Sequence, residues 1–350
     1  MKKKLTIVCP SQFGYLIDTY YYARYLKESY DITFICIASQ KPIIEEEGIK
    51  VIYIQLEKSG LFKWLEFSQK VKALLFEKKG MIFVKYFLFC SLLRTKLVKK
   101  NYILDIRTGA VTSKWLKRNV LNCILRFESS FAGKVNVISD SLARLLKLKK
   151  YCVVGLGSPE FTSEIKEFDS LRLLYVGVLS GRKIEDTIIG LKKYLDQTSN
   201  SLIEGYDVIG YGYGDEVNQL KKLVTKYNLD NIVKIHGRIP HNQLTPFLNN
   251  NNIGVSYVPK TSFFDVQPVT KTLEYIANGM FVIGTSTTEQ KKVINQYNGV
   301  LCDDTPESFS EALSQIHNNN GIFNSQGIRD NTQVDTWEDI ALKLQDILES

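Results

Sequence analysis

The chain has 350 residues, enough for two domains that each bury a core, and 44% hydrophobic with 23% charged residues excludes a disordered or fibrous protein. Its six cysteines (Cys9, Cys36, Cys90, Cys123, Cys152, Cys302) form no C-x-x-C pair, which argues against a zinc site or disulfide framework and fits a reducing cytoplasm. The net charge of +8 is unevenly divided: residues 1–160 carry 28 Lys and Arg against 13 Asp and Glu, and the rest carry 17 against 24. The first part is therefore a cation of +15, suited to an anionic membrane surface or a phosphorylated acceptor.

In chain order, the apolar run 5–10 reads as a strand, too short for the core of a signal peptide. Loop 11–14, ending in Gly14, leads to helix 15–27 and strand 32–38, a βαβ opening that implies a parallel sheet with a ligand crevice at the strand carboxyl ends. The G-x-G-x-x-G dinucleotide fingerprint is absent. Strand 51–54 precedes a basic, mostly helical region. Between Phe62 and Arg126 lysines and arginines alternate with Trp64, Phe83, Phe87 and Trp115, a mixture that favours a membrane interface; no nucleic-acid motif is present. The longest apolar run, 81–93, is too short to span a bilayer and contains Lys85.

Residues 102–109 read as a strand with Asp105, Arg107 and Thr108 at its end, where polar groups in this architecture face the crevice. Helix 113–129, strand 135–139, a helix capped at Ser139 and strand 152–156 follow. Periodicity breaks at 157–170, the expected domain boundary. The alternation then restarts: strand 171–176, loop 177–183, helix 184–195, strand 206–209, Gly210-Tyr-Gly-Tyr-Gly214, helix 215–227, strand 232–236, a short helix near 241–249 and strand 253–258. Residues 265–279 form a loop and a helix that Pro268 opens, Thr270 or Thr272 caps and Gly279 ends, followed by strand 281–284. Helices 306–317 and 336–349 complete the chain. The start of the 270s helix is a natural anion site, where amides, the helix dipole and Lys271 converge with Glu274 three residues on; a solvated Lys–Glu pair is the plainer reading.

The ordered series Tyr175-Val-Gly-Val-Leu-Ser-Gly-Arg-Lys183, Val208-Ile-Gly-Tyr-Gly-Tyr-Gly214, Val233-Lys-Ile-His-Gly-Arg-Ile-Pro240 and Lys271-x-x-Glu274-Tyr-x-Ala277-x-Gly279 resembles the carboxyl-terminal domain of family-4 retaining glycosyltransferases of the GT-B fold. The resemblance covers about 170–320 well and the first half in outline. It implies an α/β protein of two facing doubly wound Rossmann-like domains, 1–160 on the acceptor side and 161–335 binding a nucleotide sugar, with helix 336–350 returning to the first. By the same resemblance Glu274 holds the donor ribose, the amides of Val269 and Thr270 lie beneath the diphosphate, and Lys183, with Arg182 beside it, neutralises the diphosphate. Arg238 and Ile239 frame the nucleobase and Gly14 lets the donor approach. Two positions depart from the family pattern: Val266 replaces the first glutamate of E-x7-E, and no histidine exists in the first half, a vacancy that Asp105 and Arg107 are expected to fill.

The implied activity is transfer of a sugar, with retention and without a metal or other cofactor, from a nucleoside-diphosphate donor, UDP in preference to GDP. The acceptor is a growing, lipid-linked bacterial glycan at the inner membrane face, so the enzyme is cytoplasmic and peripheral. The alternatives are a non-catalytic nucleotide-sugar-binding subunit and a nucleotide-sugar 2-epimerase.

Overall fold

The computed structural model describes residues 2–75, 80–94, 101–159, 162–240, 243–319 and 323–350. The chain divides into two compact units, Met1–Gly157 joined by Asp335–Ser350, and Ser158–Val334.

The first unit runs β1 (Lys3–Cys9), α1 (Ile17–Leu26), β2 (Tyr30–Ile37), β3 (Ile49–Ile54), α2 (Gly60–Leu75), β4 (Met81–Lys85), β5 (Tyr102–Ile106), α3 (Trp115–Ser129), β6 (Lys134–Val137), α4 (Asp140–Leu145) and β7 (Cys152–Val153). Its strands form one parallel sheet in the order β3-β2-β1-β4-β5-β6-β7. The central strands are largely apolar, as expected of a parallel sheet covered on both faces, and all of β5 and residues 5–9 of β1 are buried. Strand β4 corrects the expectation of a mostly helical region between 54 and 102. Its Met-Ile-Phe-Val run has no period to separate a buried strand from a buried helix, and only pairing with β1 and β5 decides the matter.

The second unit runs β8 (Leu171–Val178), α5 (Ile184–Gln197), β9 (Ile203–Tyr211), α6 (Glu216–Lys226), β10 (Val233–Gly237), α7 (Thr245–Asn250), β11 (Ile253–Ser256), α8 (Thr270–Ala277), β12 (Phe281–Thr285), β13 (Gly299–Cys302), α9 (Pro306–Asn319) and α10 (Ser325–Asp330). The parallel order is β10-β9-β8-β11-β12-β13. Each sheet therefore grows outward in both directions from its first strand, with switch points at β1/β4 and β8/β11. Ligands of such sheets bind outside the strand carboxyl ends at the switch point.

The last helix, α11 (Trp337–Glu349), belongs to the first unit. Thr336 and Asp339 form a capping box at its start, Trp337 stacks on Tyr21 of α1 at 5.4 Å, and Ile340, Leu344 and Leu348 enter the same core. Gly157 sits against the Trp337 backbone, where a Cβ would come within 2.7 Å of it. The first unit ends at this glycine, the first residue of the 157–170 break in periodicity.

Candidate functional site

In the second unit the switch point lies between the loops that follow β8 and β11, and these carry Arg182, Lys183, Val269 and Thr270. Helix α8 is placed by its underside. The Tyr275 hydroxyl accepts the Val176 amide of β8 at 2.9 Å, and the Tyr275 ring fills the space that a side chain at Gly254 would need. Thr272 pairs with Ser256 at 2.6 Å and donates to Gln290 at 3.0 Å. Behind it, Gly279 at φ +68° closes a Schellman turn in which the Gly279 amide donates to Ile276 O and the Met280 amide to Tyr275 O, each at 2.9 Å.

Neither threonine caps α8. Val269 is the N-cap and contributes no side-chain bond, so no cap side chain covers the first turn, where the Thr272 amide turns back to the Val269 carbonyl at 3.1 Å. Glu274 is only 2% exposed, which rules out a solvated Lys–Glu pair. One of its oxygens, Oε2, takes the Lys271 ammonium, and the other, Oε1, is buried without a hydrogen-bond partner among the described residues. A buried acceptor left open beside a cation and a helix start is costly unless a ligand donates to it, and a vicinal diol supplies such donors.

The β8–α5 loop meets the loop that leads into α8. Arg182 lies 4.1 Å over the Phe264 ring, and burial lowers its guanidinium from the ordinary value. Lys183, in a left-handed conformation at φ 54°, caps α5 and reaches Asp304 at 3.1 Å, which also accepts the Lys260 amide at 3.3 Å. The half-exposed Lys183 is thus held by an exchangeable ion pair that an anionic ligand can displace. Arg238 lies 5.5 Å over Tyr211, which meets Tyr213 edge-on, while Ile239 packs against the core. The two tyrosines are exposed and stand perpendicular to each other, with Arg238 over the Tyr211 face, aromatic surface that the glycine-rich reading of 210–214 missed. Nor is that segment a flexible turn: Ser180 holds the Tyr213 amide at 2.7 Å, Glu216 holds the Gly214 amide at 2.8 Å and pairs with Ser180, and a Cβ at Gly210 would collide with the Gly177 carbonyl.

Beside the departure at Val266, Asp265 gives both oxygens to Thr288, at 2.8 Å to its amide and 2.6 Å to its hydroxyl. Of the histidines, His236 is bound to Asp207 at 2.6 Å and His317 to Tyr194 at 2.8 Å, while His241 lies outside the described residues.

In the first unit Gly14 is required by its backbone: φ is +84°, and the Ile44 side chain occupies the place of any Cβ. Asp105 and Arg107, expected as catalytic groups at the crevice, are buried in a polar network. Asp105 is fully buried, accepts Asn136 at 2.5 Å and lies 3.7 Å from Arg107; burial raises its carboxyl from the usual value, against Arg107 and Lys85. Arg107 donates to Asp18 at 3.2 Å and to the carbonyls of Val154 and Gly155 at 2.6 and 2.8 Å. The pair braces β5 against the segment after β7. Asp105→Asn should therefore keep any sugar-transfer activity within about threefold, where loss of a catalytic carboxylate would cost roughly a hundredfold or more. Initial rates with saturating donor decide this.

Residues 160–332 match the family model described as glycosyl transferases group 1. Sucrose-phosphate synthase from Thermosynechococcus elongatus superposes with a TM-score of 0.77 at 17% identity, covering 99% of this chain and 98% of its own. Anabaena HepE, solved with UDP and glucose, gives 0.75 at 12%, covering 99% of each. WaaG, a glycosyltransferase of lipopolysaccharide biosynthesis, gives 0.69 at 13%, covering 98% of this chain and 99% of its own. No curated protein matches the sequence. Like these proteins the chain has the GT-B fold, and its second unit is a glycosyl transferases group 1 domain.

Proposed function

We propose that the protein transfers a sugar, with retention and without a metal, from a UDP-sugar to a growing, lipid-linked bacterial glycan at the inner face of the cell membrane. The observation that carries the donor side is the buried, half-partnered Glu274 at the open start of α8. Its free oxygen accepts the ribose hydroxyls, the amides of the first turn and Lys271 receive the phosphates, and the Tyr211/Arg238 platform takes the base. When the bond from the sugar to the β-phosphate oxygen breaks, its electron pair leaves with the diphosphate, and the acceptor hydroxyl forms the new bond as its proton passes to the departing phosphate oxygen. Lys183 and Arg182 are the fixed charges that stabilise the departing anion. The Anabaena structure with UDP and glucose and the lipopolysaccharide role of WaaG support this choice of donor and acceptor class.

The commitment of Asp265 to Thr288, beside Val266, favours a second reading, a nucleotide-sugar-binding subunit without catalysis. Incubation with labelled UDP-sugars and a membrane extract separates the readings: transfer supports the first, and binding without turnover the second. Epimerised free donor would instead show a nucleotide-sugar epimerase. Lys183→Ala should lower kcat by about a hundredfold while changing UDP affinity less than tenfold, because its charge matters most when the diphosphate leaves.

A further inference from the structure

Helix α3 is anchored by one edge only. Leu125, Glu128 and Ser129 are buried, and Glu128 accepts the Tyr86 hydroxyl at 3.1 Å and the Ser91 hydroxyl at 2.9 Å. Away from that edge, Leu116, Val120, Cys123 and Phe127 fall at i, i+4, i+7 and i+11 and form a continuous exposed apolar stripe. Leu116 is 70% exposed, Val120 58% and Phe127 65%, with Trp115 beside them at 62%. Isolated exposed apolar residues are ordinary, whereas a helical stripe of them marks an interface.

The helix runs from the carboxyl end of β5 to the amino end of β6, and there its Arg126 and Ser129 line a cavity of about 610 Å³. Arg126, Lys134, Lys147, Lys149 and Lys150 line it, and among the described residues no carboxylate does. Lys134 is spent on the Ile347 carbonyl at 2.7 Å, but Arg126, Lys147, Lys149 and Lys150 are exposed. Phe127, next to the cavity-lining Arg126 in sequence, packs on Phe131 at 5.1 Å, with Arg94 over the Phe131 ring.

We propose that the outer face of α3 lies in the surface of an anionic bilayer and that the basic cavity at its end seats the phosphate of a lipid headgroup. A cavity of cations alone would suit any phosphate. The stripe selects the lipid, because aliphatic and aromatic side chains gain only where acyl chains cover them. Because α3 starts at the carboxyl end of β5, a bilayer along it also reaches the strand ends of the first unit. The inference deepens the membrane-facing acceptor proposed above and rests on that reading.

The test uses the full chain carrying Cys152→Ser, which leaves Cys123 as the one exposed thiol among the described residues, labelled with an environment-sensitive fluorophore. Vesicles containing phosphatidylglycerol should shift the Cys123 emission to the blue, and phosphatidylcholine vesicles should not. Lys149→Glu with Lys150→Glu should weaken sedimentation with the anionic vesicles at least roughly twentyfold, since each basic side chain near such a surface is worth about fivefold. Phe127→Ser with Leu116→Ser should lower it roughly tenfold and abolish the shift. Equal binding to neutral vesicles, unaltered binding by the lysine variant, or a blue shift with inorganic phosphate or an oligonucleotide alone would overturn the proposal. UDP affinity, measured on the same variants, should be unchanged. Unmutated protein that binds UDP but no anionic vesicle would refute the docking surface alone, and protein that binds the vesicles but no UDP would refute the donor site.

Discussion

Glu274→Gln is expected to weaken UDP binding by roughly ten- to a hundredfold, the range for removing hydrogen bonds to a charged acceptor, about 1.5–3 kcal/mol. Its carboxylate is buried, one oxygen faces no partner, and Lys271 takes the other. Glutamine keeps the shape but has one acceptor oxygen for two donors, Lys271 and the diol, so one of the two contacts is lost. Lys271 is 23% exposed and regains water when its partner is neutralised, so the fold should not suffer. Calorimetric titration with UDP and with uracil would locate the loss: UDP should weaken and uracil should not. Unchanged UDP affinity with a normal melting curve would remove Glu274 from the donor site.

The largest effect on stability is expected at Asp18. This carboxylate at the start of α1 lies 2.5 Å from Lys85 at the end of β4 and 3.2 Å from Arg107, and all three are nearly buried. Burial works against its charge, yet the two cations hold its carboxyl at about 2. Asp18→Ala takes the carboxylate from Lys85 and leaves Arg107 only Asp105 and the Val154 and Gly155 carbonyls, at roughly 3–5 kcal/mol. At about 2–4 °C per kcal/mol for a unit of this size, melting should fall by about 10 °C. The pH dependence follows from the depressed value. Stability from Asp18 is complete above its unfolded value near 4, and about 2.5 kcal/mol of it is lost as the pH falls from there through about 2. Asp18→Asn should lack that decrement. Scanning calorimetry of wild type and variant between pH 5 and pH 2 tests this, and parallel acid profiles would refute the assignment.

Much of the donor side was legible in the linear chain because its determinants are local. Pro268 and Gly279 bracket α8, the Lys271/Glu274 spacing sets one helical turn, and the loop ending in Lys183 directly follows an apolar run. The fold followed for the same reason, since βαβ alternation with short loops leaves few ways to build a sheet. The first unit was harder to read. Asp105 and Arg107 look like crevice residues at a strand end, yet the network of Asp18, Lys85 and Asn136 that buries them comes from positions far apart in sequence. Strand β4 was hidden because a short, fully buried apolar run has no period.

The sequence by itself determined two doubly wound units, their near boundaries, the place and ends of α8 and the cationic character of the first unit. Each of these is carried by residues within one or two turns or strands of one another, or by composition. Only the tertiary structure decided that Glu274 is buried with one oxygen open, that no threonine caps α8, that Asp265 is spent on Thr288 and that α3 leaves an apolar stripe uncovered. Burial and hydrogen-bond satisfaction depend on which distant segments arrive to cover a group, and periodicity records only which side of an element needs covering.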